Sequence, residues 1–489
     1  MSKHALFALL LAGALASTAP LPLSAASTSV VAFGDPDLPA VAAAIANGDW
    51  LRVEGVPLDG SGKLETLELQ RFEVFSSDAR IVIHGPRGDT IADRPQTRYL
   101  RGWLNGAPSS HAYLSIQPDG EVRGIVSDAG RHWVIGNVRA SRRLAKLASR
   151  AVPDDAFAAE QERFSCATDN LGVEPGAFLR GTAVDRSPQE TAGGGSYTAR
   201  LAIETDNEFL NLFGGNTADA TAYIGDLVAF SSGIYSAEVD TEFFITFISL
   251  WTGSDPWKQS STACGMFEFG RYWNDNYDGS VGGDVYTLSH FMSGKSNGGG
   301  VGWVGVLCSP QFSWNHQGSC PGLTPDTDNY GGPYGYSGDL DGNFDLDNPA
   351  VVWDIIVVSH ELGHNFDSPH THCYAGLQGN ANPIDECFGS QQGCYSGATS
   401  LPSGCPGGGM GCGTIMSYCH LLSPGISNIG FSLGTGHPYG IAPERVPTQI
   451  GAHLLATANS NPACLAPVSL IFSDGFESGA TGGWTATVP

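Results

Sequence analysis

Apolar positions recur at helical spacing through Val351, Val352, Ile355, Ile356 and Val358, directly after Asp347, Asn348 and Pro349. That pattern predicts a well-formed helix. Asp347 and Asn348 are its candidate caps, and Pro349 fits a first turn, where a missing N–H costs nothing. Further helices are predicted over residues 217–236, Phe267–Asn276 and Pro447–Ala458. Alternating or continuous apolar runs mark strands at Arg71–Phe75, Ala79–His84, Tyr197–Glu204, Asp240–Trp251, Asp284–Phe291 and Gly300–Leu307.

Residues 27 to about 190 read as a β-rich unit, whereas helices and strands mix beyond it. Charge changes at the same place. Residues 201–489 carry four basic side chains (Lys258, Arg271, Lys295 and Arg445) against 27 acidic ones, while residues 27–200 carry 19 basic and 22 acidic. Such a step separates units with different fates. The boundary is expected between Arg186 and Tyr197, across the glycine-rich run Thr191–Ser196, with Arg142-Arg143 as a second candidate cut. The acidic C-terminal part excludes nucleic acid and anionic lipid surfaces as partners.

Met1–His4 places a positive charge ahead of an apolar run from Ala5 to Ala16, and small residues follow to Ala26. This reads as an export signal over residues 1–26, too short for a membrane span. The 11 cysteines fit an oxidising compartment. Cys373, Cys387, Cys394, Cys405, Cys412 and Cys419 contain no CxxC pair, so disulfides are expected among them, with connectivity open. Cys166 stands alone before the boundary, and setting it aside leaves ten cysteines, enough for five bridges. Residues 467–489 form a short tail, in which Ser473–Gly479 resembles a segment found on secreted bacterial proteins.

The chemistry lies in His360-Glu361-Leu362-Gly363-His364-Asn365-Phe366-Asp367-Ser368-Pro369-His370. Two histidines four apart on a helix project from one face, so both imidazoles reach a single metal ion. Glu361 stands beside the first, where it can handle a water without binding the metal. His370 supplies a third nitrogen if the chain turns back after the helix; His372 is the alternative. Three protein donors with one open position describe a catalytic zinc. Asp339, Asp341, Asn343, Asp345 and Asp347 alternate ahead of the helix and suggest calcium as a second ion. The glycine and distal glutamate of an EF-hand loop are misplaced, however, and a solvated acidic loop is the simpler reading.

This segment resembles the extended motif HExxHxxGxxH of the metzincin zinc endopeptidases, and HELGHNF is similar to their adamalysin (reprolysin) branch. Those enzymes place a methionine turn beneath the metal. Cys412-Gly413-Thr414-Ile415-Met416-Ser417-Tyr418-Cys419 resembles that turn, which implies Met416 as the residue under the zinc. Tyr418 then resembles the tyrosine of the SxMxY form, with Thr414 for its serine. It is implied as an added zinc ligand or a donor to the oxyanion, a plain pocket wall being the other reading. Asp367 departs from the family, which has glycine there. Aspartate visits the left-handed region more readily than most residues, so the turn remains feasible.

The resemblance covers roughly residues 200–465 and implies an α+β catalytic domain over 191–466. Its features would be a twisted mixed five-stranded sheet, a cleft across the zinc, and an edge strand at Gly300–Val306 to receive an extended peptide. The run from Tyr99 to Trp133 is similar to adamalysin propeptides. This implies that residues 27–190 are a propeptide, with an independent β-sandwich as the alternative, and that Cys166 closes the zinc's open position until activation. The implied function is a secreted, monomeric zinc endopeptidase made as a latent zymogen and acting on proteins or peptides. The competing reading is a catalytically inactive metzincin-fold binding or adhesion module. A gluzincin using Glu386 as third ligand is the alternative among enzymes.

Overall fold

The computed structural model describes residues 26–58, 62–138, 146–153, 166–170, 197–277, 280–281, 284–314, 320–323, 330–406 and 409–467. The expected export signal up to residue 25, Arg142-Arg143, the boundary run Thr191–Ser196 and the tail segment Ser473–Gly479 lie outside the described residues.

The N-terminal part contains β1 (Thr28–Ala32), α1 (Leu38–Ala44), β2 (Trp50–Val56), β3 (Glu65–Phe72), β4 (Phe75–His84), β5 (Thr90–Ala92), β6 (Arg98–Leu104), β7 (Ala107–Ile116), β8 (Val122–Asp128), β9 (Arg131–Val138) and β10 (Lys146–Ala151). Eight of these strands pair in the order β1-β2-β3-β6-β7-β8-β9-β10, antiparallel except for β1 with β2. This is the β-rich unit that the strand signals predict. Side chains alternate across the sheet. Leu100, Leu114, Val126 and Ile135 form one core with Leu38 and Ala42 of α1, while Tyr99, Tyr113, Ile125 and Val134 are buried in another core. Both faces are therefore covered, the second by the rest of the protein.

The remainder contains β11 (Tyr197–Thr205), α2 (Asn207–Leu212), α3 (Thr217–Val239), β12 (Thr241–Trp251), α4 (Thr262–Asn276), β13 (Ser280–Val281), β14 (Asp284–Val285), β15 (Leu288–Met292), β16 (Gly300–Gly302), β17 (Tyr334–Ser337), α5 (Val351–Asn365), α6 (Arg445–Ser460) and β18 (Ala466–Pro467). The second sheet runs β16-β17-β15-β11-β12-β4-β5, with β18 against β11. It is parallel from β17 through β4 and antiparallel at both ends. Strands are present within the four runs expected between residues 197 and 307, but β17 is not among those expectations, and the sheet has eight strands in place of the five that the resemblance implies. The outer edge of β12 still has backbone groups to satisfy, and β4 fills it.

Local signals account for most helix starts. Asn216 caps α3 by accepting from the N–H groups of Ala218 and Asp219, and Ser261 starts α4 earlier than expected by accepting from Cys264. The helix α5 corrects one expectation. Its N-cap is Ala350 without a side-chain bond, so neither Asp347 nor Asn348 caps it. Instead Asp354, in the first turn, turns its carboxylate back to the N–H groups of Asp341 (3.1 Å) and Gly342 (3.0 Å) and takes the Tyr223 hydroxyl at 2.7 Å. Strand pairing at Gly300–Leu307 is also shorter than expected, ending at Gly302.

Five disulfides form: Cys264–Cys320, Cys308–Cys464, Cys373–Cys394, Cys387–Cys419 and Cys405–Cys412. Cys166 is the cysteine outside them, as the count predicts. Among the described residues no helix is long and apolar enough to cross a membrane.

Candidate metal centre

All fifteen residues of α5 are buried, so His360, Glu361 and His364 stand on a helix packed on every side. After the helix the chain turns at Asp367, which adopts φ 76°. The Asp367 N–H bonds the His364 carbonyl (2.9 Å) and the Ser368 N–H bonds that of Gly363 (3.0 Å), closing the helix in the manner of a glycine cap. The substitution for glycine is thus accommodated. Its carboxylate accepts from the Gln449 amide of α6, and burial pushes that carboxyl up to about 7, opposed by the Gln449 hydrogen bond.

The turn delivers His370. Its Nε2 lies 3.1 Å from that of His360 and 3.1 Å from that of His364. Each ring is held from behind through Nδ1: His360 by the Ile415 carbonyl (2.8 Å), His364 by the Ser368 carbonyl (2.7 Å), and His370 by the Gln391 side-chain oxygen (3.0 Å). These acceptors assign the proton to Nδ1 and leave three Nε2 lone pairs aimed at one place. Burial, reinforced by the neighbouring His370 imidazole, pushes His360 and His364 well below the usual imidazole range, which keeps them neutral.

A fourth donor arrives from far upstream. Cys166 is buried with its Sγ 3.4 Å from His364 Nε2 and 3.5 Å from Glu361 Oε2. The donor atoms of Cys166, His360, His364 and His370 all lie within 4.8 Å of one another. Two nitrogens at tetrahedral zinc distances would be about 3.3 Å apart, and a nitrogen and a sulfur about 3.6 Å. Bare imidazole nitrogens repel at 3.1 Å unless they share an electrophile, so this donor set fits zinc. The 3-10 turn Ala167–Asn170 carries the same segment along β16, where the Thr168 hydroxyl accepts from the Gly302 N–H (3.0 Å) and donates to its carbonyl (3.1 Å). That is the edge strand expected to hold a peptide.

Met416 lies directly under the helix: a Cβ on Gly363 would collide with its Sδ. The tyrosine two positions on, Tyr418, is buried with its ring 4.5 Å from that of His370 and 6.1 Å from that of His360. His372, the alternative third donor, is not among the four. Its Nε2 faces the same Gln391 oxygen at 2.6 Å, and its neighbour Cys373 is committed to a disulfide. Glu386 bridges to Ser400 in the loop and does not join the cluster. Among the described residues, Asp339, Asp341, Asp345 and Asp347 belong to no group close enough to share an ion.

Sequence reasoning missed Gln391 and the two main-chain anchors. Ile415 lies inside the Cys412–Cys419 segment and was within reach of the motif; Gln391 carries no local signal.

A comparison with curated proteins finds no match. Among solved structures, metalloproteinase-II from Bacteroides fragilis is similar at 12% identity and a TM-score of 0.32, over 70% of this chain and 88% of that one. The family model described as metallo-peptidase family M12, of reprolysin type, matches residues 195–428. The matched segment supplies all three histidines of the cluster.

Proposed function

We propose that this protein is a zinc-dependent endopeptidase, exported and made as a latent zymogen, in which His360, His364 and His370 hold the metal and Glu361 is the general base. The observation that carries the reading is the convergence of three anchored Nε2 atoms with the Glu361 carboxylate beside them, inside a segment that matches a metallopeptidase family. Zinc, when bound, supplies a Lewis acid that polarises a peptide carbonyl and acidifies water. The chain does the rest. Glu361 takes a proton from the attacking water and returns it to the leaving amine. An extended protein or peptide substrate lies along β16, its backbone taking over the N–H and C=O of Gly302 that Thr168 now occupies. Tyr418, packed on His370, donates to the developing oxyanion. Met416 is the cushion beneath the ligands.

Cys166 would account for latency: a thiolate is a strong zinc donor, and one beside His364 would close the fourth position of a bound zinc, a reading supported by its place in the donor cluster and by its own segment on the edge strand. Export is supported by the five disulfides.

Purified protein should hydrolyse casein or gelatin only after processing, lose that activity to a chelator, and contain one zinc per chain. A metal-free protein, or chelator-resistant hydrolysis, would refute the assignment. Cys166→Ala should be active without processing. Tyr418→Phe should lower kcat by about 10²-fold at unchanged KM if the hydroxyl is a donor, and leave both unchanged if the ring is only a wall.

A further inference from the structure

A removable precursor segment would be expected to lie on the surface of the enzyme; here it is built into the enzyme's own sheet. β4 runs parallel along the outer edge of β12, from Phe75 opposite Ile245 to His84 opposite Trp251, and β5 closes its far side. Ile81 and Val82 are buried in this position. Without β4, the eleven residues of β12 would be a sheet edge reading Thr-Glu-Phe-Phe-Ile-Thr-Phe-Ile-Ser-Leu-Trp. That is a long, apolar edge with one charge and no proline, of the kind that folded proteins keep covered.

The N-terminal sheet adds a second contact through its face. Tyr99, Tyr113, Ile125 and Val134 share a continuous core with Tyr223, Leu227 and Phe230 of α3. Buried Asp226, on the same helix, pairs with Arg123 at 3.2 Å and accepts from the Tyr113 hydroxyl at 2.8 Å. Arg101 pairs with Glu242, and Asp78 with Arg200 at 3.0 Å. A third contact reaches the segment after the methionine turn: His132 Nε2 lies 3.1 Å from the Ile429 carbonyl, and its ring stacks on Phe431 at 4.4 Å. Edge, face and loop are joined at once, with an apolar centre, as in obligate and not transient interfaces.

We propose that residues 27–153 are a lasting noncovalent subunit of the catalytic unit, held by β4 as a donated edge strand, so that a cut between Arg186 and Tyr197 leaves both pieces together. Only the existence of that cut rests on the zymogen reading; the docking requires neither metal nor activity. One consequence follows for activation. Cys166 lies on the N-terminal side of the cut, tethered to a docked subunit, at an effective concentration on the order of millimolar. A single cut therefore leaves the cleft occupied, and activity needs a second cut between residues 153 and 166.

The test uses the full chain with a specific protease site inserted at Gly193–Gly195, cut to completion and passed over a gel-filtration column without denaturant. Both pieces should emerge in one peak at the position of the uncut chain. Ile81→Ala should lower the urea concentration at which they part. Separation in plain buffer, or a urea midpoint indifferent to Ile81→Ala, would overturn the proposal. If Ile81→Ala does not fold, hydrogen exchange on the cut wild-type protein decides: β12 amides protected as in the uncut chain support the strand, and unprotected ones refute it. Metal content and hydrolysis are read on the same fractions. A complex that co-elutes but has neither would count against the peptidase reading and leave the strand donation standing.

Discussion

His360 and His364 stand on a buried helix and lean on main-chain oxygens, whereas His370 stands on an irregular loop and leans on one amide side chain. The first arrangement tolerates sequence change, because every residue has a carbonyl. The second depends on Gln391, whose single oxygen serves both His370 and His372 and whose position is set by the Cys373–Cys394 staple. The contrast teaches where the cluster is open to adjustment. Helix geometry places two nitrogens for nothing beyond burial, and the third is placed by a loop that three disulfides must stiffen.

The largest effect should come from the helix side. Glu361→Gln keeps size and shape and should lower hydrolysis by about 10²–10⁴-fold while zinc content stays the same. Loss of metal in that variant would make Glu361 a ligand and not a base. Next, Gln391→Ala should weaken zinc binding by about 10–100-fold, measured by competition with a chelator. An unchanged affinity would erase the difference between loop and helix anchoring. Gly363→Ala tests how tightly the helix sits on Met416. The added methyl should destabilise the fold by about 1–3 kcal/mol in urea, despite alanine's better helix propensity. The smallest effect concerns the turn between the two regions. Burial raises the Asp367 carboxyl from 3.8 to about 7, so the folded chain holds an extra proton between those values and loses stability as pH rises through that window. Asp367→Asn should remove this slope. Its urea midpoint should gain on the wild type between about pH 4 and pH 7, and parallel curves would show that the carboxyl does not titrate there.

Much of the cluster was legible because its information is local. Four residues along a helix return to the same face whatever surrounds them, so His360 and His364 could be paired from spacing alone. Asp367 could be judged compatible with the turn from its own backbone preferences, and Cys166 could be set apart by counting. The capping expectation failed for a related reason: Asp347 and Asn348 were suitable by type, but Asp354 reached backward from within the helix to the N–H groups of Asp341 and Gly342, and that fold-back was not written in the pattern.

By itself, then, the amino-acid order determined the helices around the cluster and several of the strands, which residues could bind metal, and that ten cysteines would pair. Only the tertiary structure decided that Gln391 would stand behind His370, that the segment at Cys166 would lie along β16, and that β4 would join the second sheet. The physical reason is range. A helical period or a turn preference is felt within a few residues, whereas the partner of a sheet edge or of a ring nitrogen is chosen by which surfaces meet once the chain has collapsed, and no periodicity records that choice.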